Sequence, residues 1–517
     1  MWPERHLRRP FRGRALFAGI LALGVAGAGM SPQAEARPQS ADEDPHAVTS
    51  LAVLPFETLG TETEEFLGGG MTEDLISYLA QLGELDVTAR ASSMALRDTD
   101  LDLRQVADTL GVEHLLVGSV ERSGNRVRVA ARLVDPGTET EIWAEQYATE
   151  LAELSRVQEA IARDVSELLL GSAQTFRSPS ARSRSDVPEV FELFLRGRQA
   201  LQSRAQESLR EGMDAFERAI RMDPEHAPPH AGLSIAHSLW VTYGYVDELE
   251  PYEAYAQAVR LGDRAVALDP EHVAAYPARG YVTTRAWAPA DDVEADFLRA
   301  LELEPGSADA HGWFAHFLAR EEAFGRSLEA ARRAIELDPL AAGRRVGFAV
   351  NALAAREYEE ARREASTARA LAPALGLPRA LEARALLLLG RPDDCLELDL
   401  SPFPAMEAIC VHEAGREAEA RNRIDALAAG FLEGSVGQSA GLARDLATYH
   451  AWTGQSEEAL RWTERAFALS PDGVDFRHVQ SGLFDRVLSE PTFAAGWDRL
   501  KEETWSRVSH EARDGRP

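Results

Sequence analysis

The chain has 517 residues, enough for two to four domains, and hydrophobic residues make up 45% of it, too many for a disordered protein. Its formal net charge of −29 argues against nucleic-acid binding, because a phosphate backbone requires a basic surface. Two cysteines are too few for a cysteine-rich zinc fold or a disulfide-dense scaffold.

The first 36 residues have the three parts of an export signal. An arginine-rich start precedes an apolar run over residues 15–30, and Ala34-Glu35-Ala36 follows as a small-residue cleavage site. Sixteen helical residues reach about 24 Å, short of a hydrocarbon core about 30 Å thick. Residues 1–36 are therefore predicted to be a signal peptide, or a signal anchor if uncleaved, and 37–47 a spacer. The protein would be periplasmic, or anchored to the inner membrane facing the periplasm, touching the membrane only through this segment.

Residues 48–172 have the patterns of a small α/β domain. Short apolar or alternating runs predict strands over residues 50–56, 85–89, 113–120, 126–134 and 140–147. Gly68-Gly69-Gly70 is expected to lead into a helix capped by Thr72, and Asp102 and Gly111 to start and stop another. A long amphipathic helix is predicted over 151–170.

The same region resembles the TolB-like amino-terminal domain. The resemblance rests on the consecutive segments SLAVLPFETLG, FLGGGMTEDLISYLAQL, LDVTARAS, LGVEHLLVGSVERSGNRVRVAARLVD and EIWAEQYATEL. That module occurs in bacterial signalling and envelope proteins, joined to tetratricopeptide (TPR) repeats. The resemblance implies a role in interaction or assembly. It implies no catalytic residues, because the family has no established ones.

Three features of this region partly match known binding-site motifs. The glycines at 68–70 lack the Gly-Lys-Ser/Thr of a phosphate loop, which favours a simple turn. Asp98, Asp100 and Asp102 have the alternate spacing of a calcium loop, but its glycine and final glutamate are missing. Trp143 is interpreted as a buried anchor between sheet and helix rather than a binding aromatic.

A 34-residue period dominates the second half of the chain, after a polar linker at 173–186. Turn prolines follow an acidic residue at 34- to 46-residue intervals: Pro224, Pro270, Pro305 and Pro339, with Pro373 next. The period is that of TPR repeats, each a helix pair that must stack on its neighbours. About seven repeats are predicted over 187–481, with degenerate units at 374–439 and a carboxy-terminal capping helix and tail at 482–517. The fold class is thus an α/β amino-terminal domain plus an all-α TPR superhelical solenoid.

Small residues at recurring positions should allow close helix packing. Ala349 and Ala365 are expected at helix contacts, whereas Arg333 is expected to face solvent. Because the linker has few apolar residues, it is not expected to hold the α/β domain and the repeats together, and residues 187–517 are expected to fold alone.

The sequence gives little support for a metal site or a redox site. His226 and His230 are four residues apart but flank two prolines, so no metal site is predicted, nor any cofactor. Cys395 and Cys410 are either free buried thiols or, in an exported chain, a disulfide closing a 15-residue loop worth roughly 3 kcal/mol.

The sequence predicts a protein that binds other proteins and does not catalyse a reaction. No paired nucleophile and base is visible. A TPR superhelix offers a concave groove lined by the first helix of each pair, and Arg285, Asp309 and His316 are the candidate partner-binding residues. The alternative is an envelope sensor whose TolB-like domain binds a small ligand or partner and signals through the repeats.

Overall fold

The computed structural model describes residues 49–60, 64–97, 99–171, 185, 187–201, 205–242, 245, 251–285, 288–470 and 476–514. The predicted export signal, the spacer, Asp98 and nearly all of the predicted linker lie outside these residues. The described residues belong to one compact unit.

An amino-terminal layer of strands and helices opens the described chain. The strands are β1 (Thr49–Val53), β2 (Glu57–Leu59), β3 (Leu85–Thr88), β4 (His114–Ser123), β5 (Arg126–Asp135) and β6 (Thr140–Glu150). The helices are α1 (Phe66–Ala80), α2 (Arg90–Ala95), α3 (Leu103–Leu110) and α4 (Leu154–Leu170), the last preceded by a 3₁₀ turn at Leu151–Glu153.

These strands form a mixed sheet in the order β3-β1-β4-β5-β6, and β2 pairs with β4 beyond the end of β1. The pairs of β1 with β3 and β4 are parallel, and the pairs of β5 with β4 and β6 are antiparallel. Helices α1 and α4 cover one face with a core that includes Leu75, Leu79 and Ile161. Helix α3 covers part of the other face through Val106 and Leu110.

Local sequence signals define α3 as predicted. The Asp102 side chain accepts from the backbone N–H of Gln105, and the Gln105 side chain accepts in return from the N–H of Asp102. Gly111 ends the helix with a positive φ of 71°. The hairpin predicted between β4 and β5 is also present, with Gly124 at its turn.

The predicted start of α1 is wrong. The helix begins at Phe66, so Gly68, Gly69 and Gly70 lie inside it and Thr72 is not its cap. Thr72 is fully buried; its hydroxyl accepts from the backbone N–H of Phe56 at 2.9 Å and donates to the carbonyl of Gly68 at 2.8 Å. Tertiary packing, described below, overrides the usual helix-breaking effect of glycine.

The rest of the described chain is an array of eight helix pairs. The pairs are α5 (Pro188–Ala200) with α6 (Gln206–Met222), α7 (Ala227–Thr242) with α8 (Pro251–Leu268), α9 (Ala275–Arg285) with α10 (Ala290–Leu303), α11 (Ala308–Arg320) with α12 (Phe324–Leu337), α13 (Ala342–Ala354) with α14 (Tyr358–Leu371), α15 (Leu377–Leu388) with α16 (Pro392–Leu396), α17 (Pro404–Glu413) with α18 (Glu417–Glu433), and α19 (Ala440–Trp452) with α20 (Ser456–Leu469). After them come α21 (Phe476–Gln480), α22 (Asp485–Leu488) and α23 (Pro491–Asp514). The array is the TPR-type solenoid expected from the 34-residue period, with one pair more than estimated.

Small residues lie at the helix contacts where the repeat pattern placed them. Ala349, Ala361 and Ala365 are fully buried in one cluster between α13 and its neighbours. Cys395 and Cys410 form a disulfide inside the core of the last pairs. Of the two alternatives that the sequence left open, the two residues are therefore a disulfide and not free thiols. No helix among the described residues is long and apolar enough to cross a membrane.

Candidate functional site

The first helices of the pairs were expected to line an open groove, and here they are largely enclosed. From Ala227 to Val241 in α7, every residue except Ile235 is buried, and α9 and the second half of α11 are similar. A helix buried on all sides presents no continuous surface to a partner. In this conformation, therefore, the array does not display the open groove that the sequence suggested along these helices.

The chain's own carboxy-terminal segment fills part of this space. Helix α21 packs against α11 and α13, the first helices of two successive pairs. Arg477 donates to the Asn351 side chain at 2.8 Å, and Gln480 donates to Glu322 at 3.2 Å. Helix α13 and the turn that follows α11 therefore bind a short segment of protein through specific polar contacts.

Helix α23 extends this contact across the array. Val508 is fully buried beside Tyr255 of α8 and Val282 of α9. The guanidinium of Arg507 lies 3.8 Å from the ring centroid of Tyr252, a cation–π contact. The segment 476–514 thus returns from the last pair to the second and third pairs.

The three predicted partner-binding residues occupy different surroundings. Arg285 donates to the Tyr255 hydroxyl at 3.2 Å and stacks on the ring of Tyr281. Asp309 is 58% exposed and forms an ion pair with Arg344. His316 is only 8% exposed, so its side chain is not available to a partner in this conformation. Arg285 thus contacts Tyr255 and Tyr281, and Asp309 contacts Arg344. The role of the three side chains in partner binding stays a prediction.

The α/β domain contacts the turns between the repeats, which the sequence did not predict. The N–H of Gly306 donates to the carbonyl of Ala80 at 2.9 Å, and Ser77 donates to Glu304 at 3.0 Å. One repeat further on, both the N–H and the hydroxyl of Ser92 donate to Asp338. Glu304 and Asp338 are equivalent positions, 34 residues apart, each directly before a turn proline.

A second group of contacts joins α1 to the first repeat. Arg198 of α5 donates to Asp74 at 2.6 Å, and the side chain of Leu195 packs against Gly70. Arg333 forms an ion pair with Asp86 of β3, so the prediction that it faces solvent is wrong. These contacts join the two parts through their folded surfaces, whereas the sequence analysis considered only the linker, and the expectation that residues 187–517 fold alone stays a prediction.

Burial raises the pKa values of the acids at these turns. Burial raises the pKa of Glu304 to about 8, against a smaller lowering by the hydrogen bond from Ser77. Burial also raises the pKa of Asp338, while Arg344 and Ser92 act in the opposite direction. These two acids, with Ser77 and Ser92, are the residues that the sequence analysis missed. The available signal was the acidic residue in front of each turn proline.

Several histidines are buried near the second pair. Burial lowers the pKa of His237 and of His272 to about 4, so both are neutral at pH 7. His230 lies 3.1 Å from the carbonyl of Pro224, and His226 stacks edge-on against Phe194. Within the described residues, no group of three or more His, Cys, Asp or Glu side chains is arranged to hold a metal ion.

Comparison with known proteins gives partial likenesses. No protein-family model matches the chain. A protein of Rhizobium meliloti (strain 1021) described as "Putative adenylate cyclase 3" is 37% identical over 213 residues, which cover 40% of this chain and 36% of that protein. The chain therefore spans little more than a third of that relative's length.

Solved structures with similar regions are TPR proteins. One, a thermophilic TPR protein of Thermus thermophilus, is 19% identical, with 38% of this chain and 99% of that chain covered and a TM-score of 0.32. Another, a tetratricopeptide repeat protein from Parabacteroides merdae ATCC 43184, is 13% identical, with 58% and 99% covered and a TM-score of 0.33.

Proposed function

We propose that the protein is a non-enzymatic scaffold of the cell envelope that binds segments of other proteins on the inner faces of its repeats. The observation that carries the proposal is the seating of residues 476–480 on α11 and α13. Asn351 and Glu322 accept hydrogen bonds from Arg477 and Gln480 there, as they would from a partner segment. A partner would replace this resident segment rather than enter an empty groove.

The envelope location is part of the proposal. It is supported by the signal-like residues 1–36, by the resemblance of residues 50–170 to the TolB-like domain, and by the Cys395–Cys410 disulfide. Structural disulfides persist mainly in oxidising compartments such as the bacterial periplasm.

The proposal also holds that this chain is not a cyclase, despite the description of its Rhizobium relative. The purified chain is expected to release no cyclic AMP from ATP with magnesium or manganese. Cyclic AMP formation that copurifies with the chain and is lost on one point substitution would overturn this part.

A second candidate, the sensor, is favoured by one specific observation. The α/β domain contacts two successive repeat turns, at Glu304–Gly306 and at Asp338. A ligand or partner that shifted α1 or α2 would therefore displace those turns directly. This provides a physical route from the α/β domain to the repeats.

The leading proposal is tested by holding the resident segment in place. Arg356→Cys with Asp485→Cys, an exposed pair joined by a short bismaleimide, should hold α22 and the neighbouring α21 beside α13, while the native cysteines are protected by their disulfide. Proteins captured from the envelope fraction by the untreated variant should be lost after cross-linking. The matched control is Glu359→Cys with Arg363→Cys, an exposed pair on α14. Equal capture with and without the link at 356 and 485 would overturn the proposal.

A further inference from the structure

The two edges of the sheet differ in their surroundings. At one edge, the β3 strand lies against the repeats, where Asp86 pairs with Arg333 and the N–H of Ala89 donates to the carbonyl of Leu337. At the other edge, β6 pairs with β5 from Thr140 to Glu150, and within the described part of the chain no strand pairs with its outer side. Eleven strand residues extend about 37 Å.

Proteins often blunt such an edge with proline, lysine, a bulge or a short strand. Strand β6 is long and has no proline or lysine, and its one register shift lies near its start, at Ile142, between the pairs Val134–Glu141 and Leu133–Trp143. Its charged residues are all acidic: Glu141, Glu145 and Glu150. A second copy of β6 would bring carboxylates against carboxylates, in a chain whose net charge is −29. The edge therefore repels its own copies and attracts a basic strand.

The side chains beside the edge define what such a strand would meet. On the α4 side, Trp143 and Tyr147 are half-buried, and the Tyr147 hydroxyl donates to Asp164 at 3.1 Å. Leu168 of α4 is 48% exposed. These groups offer apolar contacts next to the carboxylates of β6.

The opposite face of the sheet carries arginines one strand further in. Arg128 and Arg132 of β5 lie near Glu121 and Glu141, at 4.0 and 3.8 Å. Those carboxylates reduce the repulsion that the two arginines would exert on a cationic strand at β6.

We propose that the free edge of β6 binds an extended, basic segment of a partner protein, adding it to the sheet as a further strand. Backbone hydrogen bonds would supply the affinity, and the carboxylates would select cations. This surface is separate from the inner faces of α11 and α13, so the proposal does not depend on the groove hypothesis.

The test uses the full chain and a fluorescent nine-residue peptide of alternating arginine and valine. The peptide can place its arginines on either face by shifting one residue in register. Fluorescence anisotropy should show binding that weakens with salt. The same peptide with every backbone amide N-methylated keeps its charges but cannot donate to β6, and it should bind at least about tenfold more weakly.

Variants of the protein locate the site. Glu141→Arg with Glu145→Arg should weaken peptide binding by about tenfold or more. The control, Glu433→Arg with Glu457→Arg, makes the same charge change at exposed positions far along the chain and should have little effect. Circular dichroism checks that both variants fold, and the link between positions 356 and 485 should leave peptide binding unchanged.

Four outcomes would overturn the proposal. Equal binding of the N-methylated peptide would show attraction by charge alone. Equal effects of the two charge-reversed variants would place the peptide elsewhere. The absence of binding to the unaltered chain, or its dimerisation through β6, would show that the edge does not take a basic strand.

Discussion

The hydroxyl of Ser92 lies 2.6 Å from the carboxylate of Asp338, a residue 246 positions further along the chain. Asp338 is 1% exposed and also accepts from the N–H of Ser92. The same hydroxyl accepts from the N–H of Leu340 at 2.9 Å. One serine of α2 thus satisfies a buried carboxylate and a backbone amide of a repeat turn.

Ser92→Ala should destabilise the protein by about 1–3 kcal/mol, because a buried acid and an amide each lose a partner. Ser93→Ala is the matched control: Ser93 is equally buried, and its hydroxyl has no hydrogen-bond partner among the described residues. Urea denaturation of both variants measures the difference in the free energy of unfolding. Equal destabilisation by the two substitutions would contradict the role assigned to Ser92.

Overpacking should distinguish buried from exposed alanines on one helix. Ala365→Leu on α14 inserts three carbons into a fully buried contact and should cost about 1–3 kcal/mol. Ala370→Leu on the same helix is exposed and should change stability by less than about 0.5 kcal/mol. Arg333 would be a poor control because it pairs with Asp86. Similar melting temperatures for the two variants would count against tight packing at position 365.

Glu304 should make stability fall as the pH rises. Its folded-state pKa of about 8 lies above its ordinary value of 4.5, so between these values the folded protein holds a proton that the unfolded chain has released. The stability that protonated Glu304 gives the folded protein is fully present below pH 4.5 and is lost as the pH rises through 8. Glu304→Gln keeps an acceptor for Ser77 and should melt higher than the unaltered protein at pH 8.5, with a smaller difference near pH 4.5. Parallel pH profiles, as expected for the exposed control Glu433→Gln, would refute this.

Reduction should weaken the last pairs of the array. The disulfide closes a loop of 15 residues, worth roughly 3 kcal/mol. A reducing agent should therefore lower the melting temperature of the native protein and leave a Cys395→Ala, Cys410→Ala variant unaffected. Thiol titration of the denatured, unreduced protein should find no free thiol; two free thiols would disprove the pairing.

Export should be visible at the amino terminus. If the segment before residue 37 is a cleaved signal, sequencing of the native protein should begin near Arg37. Replacing the apolar residues at 20–23 by charged ones should leave the full-length precursor in the cytoplasm. A cytoplasmic native protein beginning at Met1 would rule the export proposal out.

Local signals explain what the sequence predicted well. The Asp102 cap, the Gly111 stop and the 34-residue period each act within one or two elements, and the structure contains all three. The start of α1 is mispredicted because local rules treat glycine as a helix breaker. Inside the protein, those glycines serve contacts with distant residues.

Long-range contacts explain what the sequence did not predict. Ser77 and Glu304 are 227 positions apart, and no local rule pairs a serine with a turn acid at that separation. The enclosed inner helices were missed for a related reason: α7 is covered by helices of three successive pairs, since α5, α6, α8 and α9 all pack against it. The almost continuous run of small and apolar residues in α7 was the sign that both of its faces are covered.

The glycine run in α1 has a consequence for the order of folding. Three glycines within three residues cost a helix interior about 1 kcal/mol each, so α1 is a poor helix on its own. Gly68 and Gly70 are required because a side chain at Gly68 would meet the carbonyl of Phe56, and one at Gly70 would meet Leu195 of the first repeat. Helix α1 should therefore gain its order only as it packs against both the Phe56 segment and the first repeat, so the α/β domain and the array should unfold together as one cooperative unit.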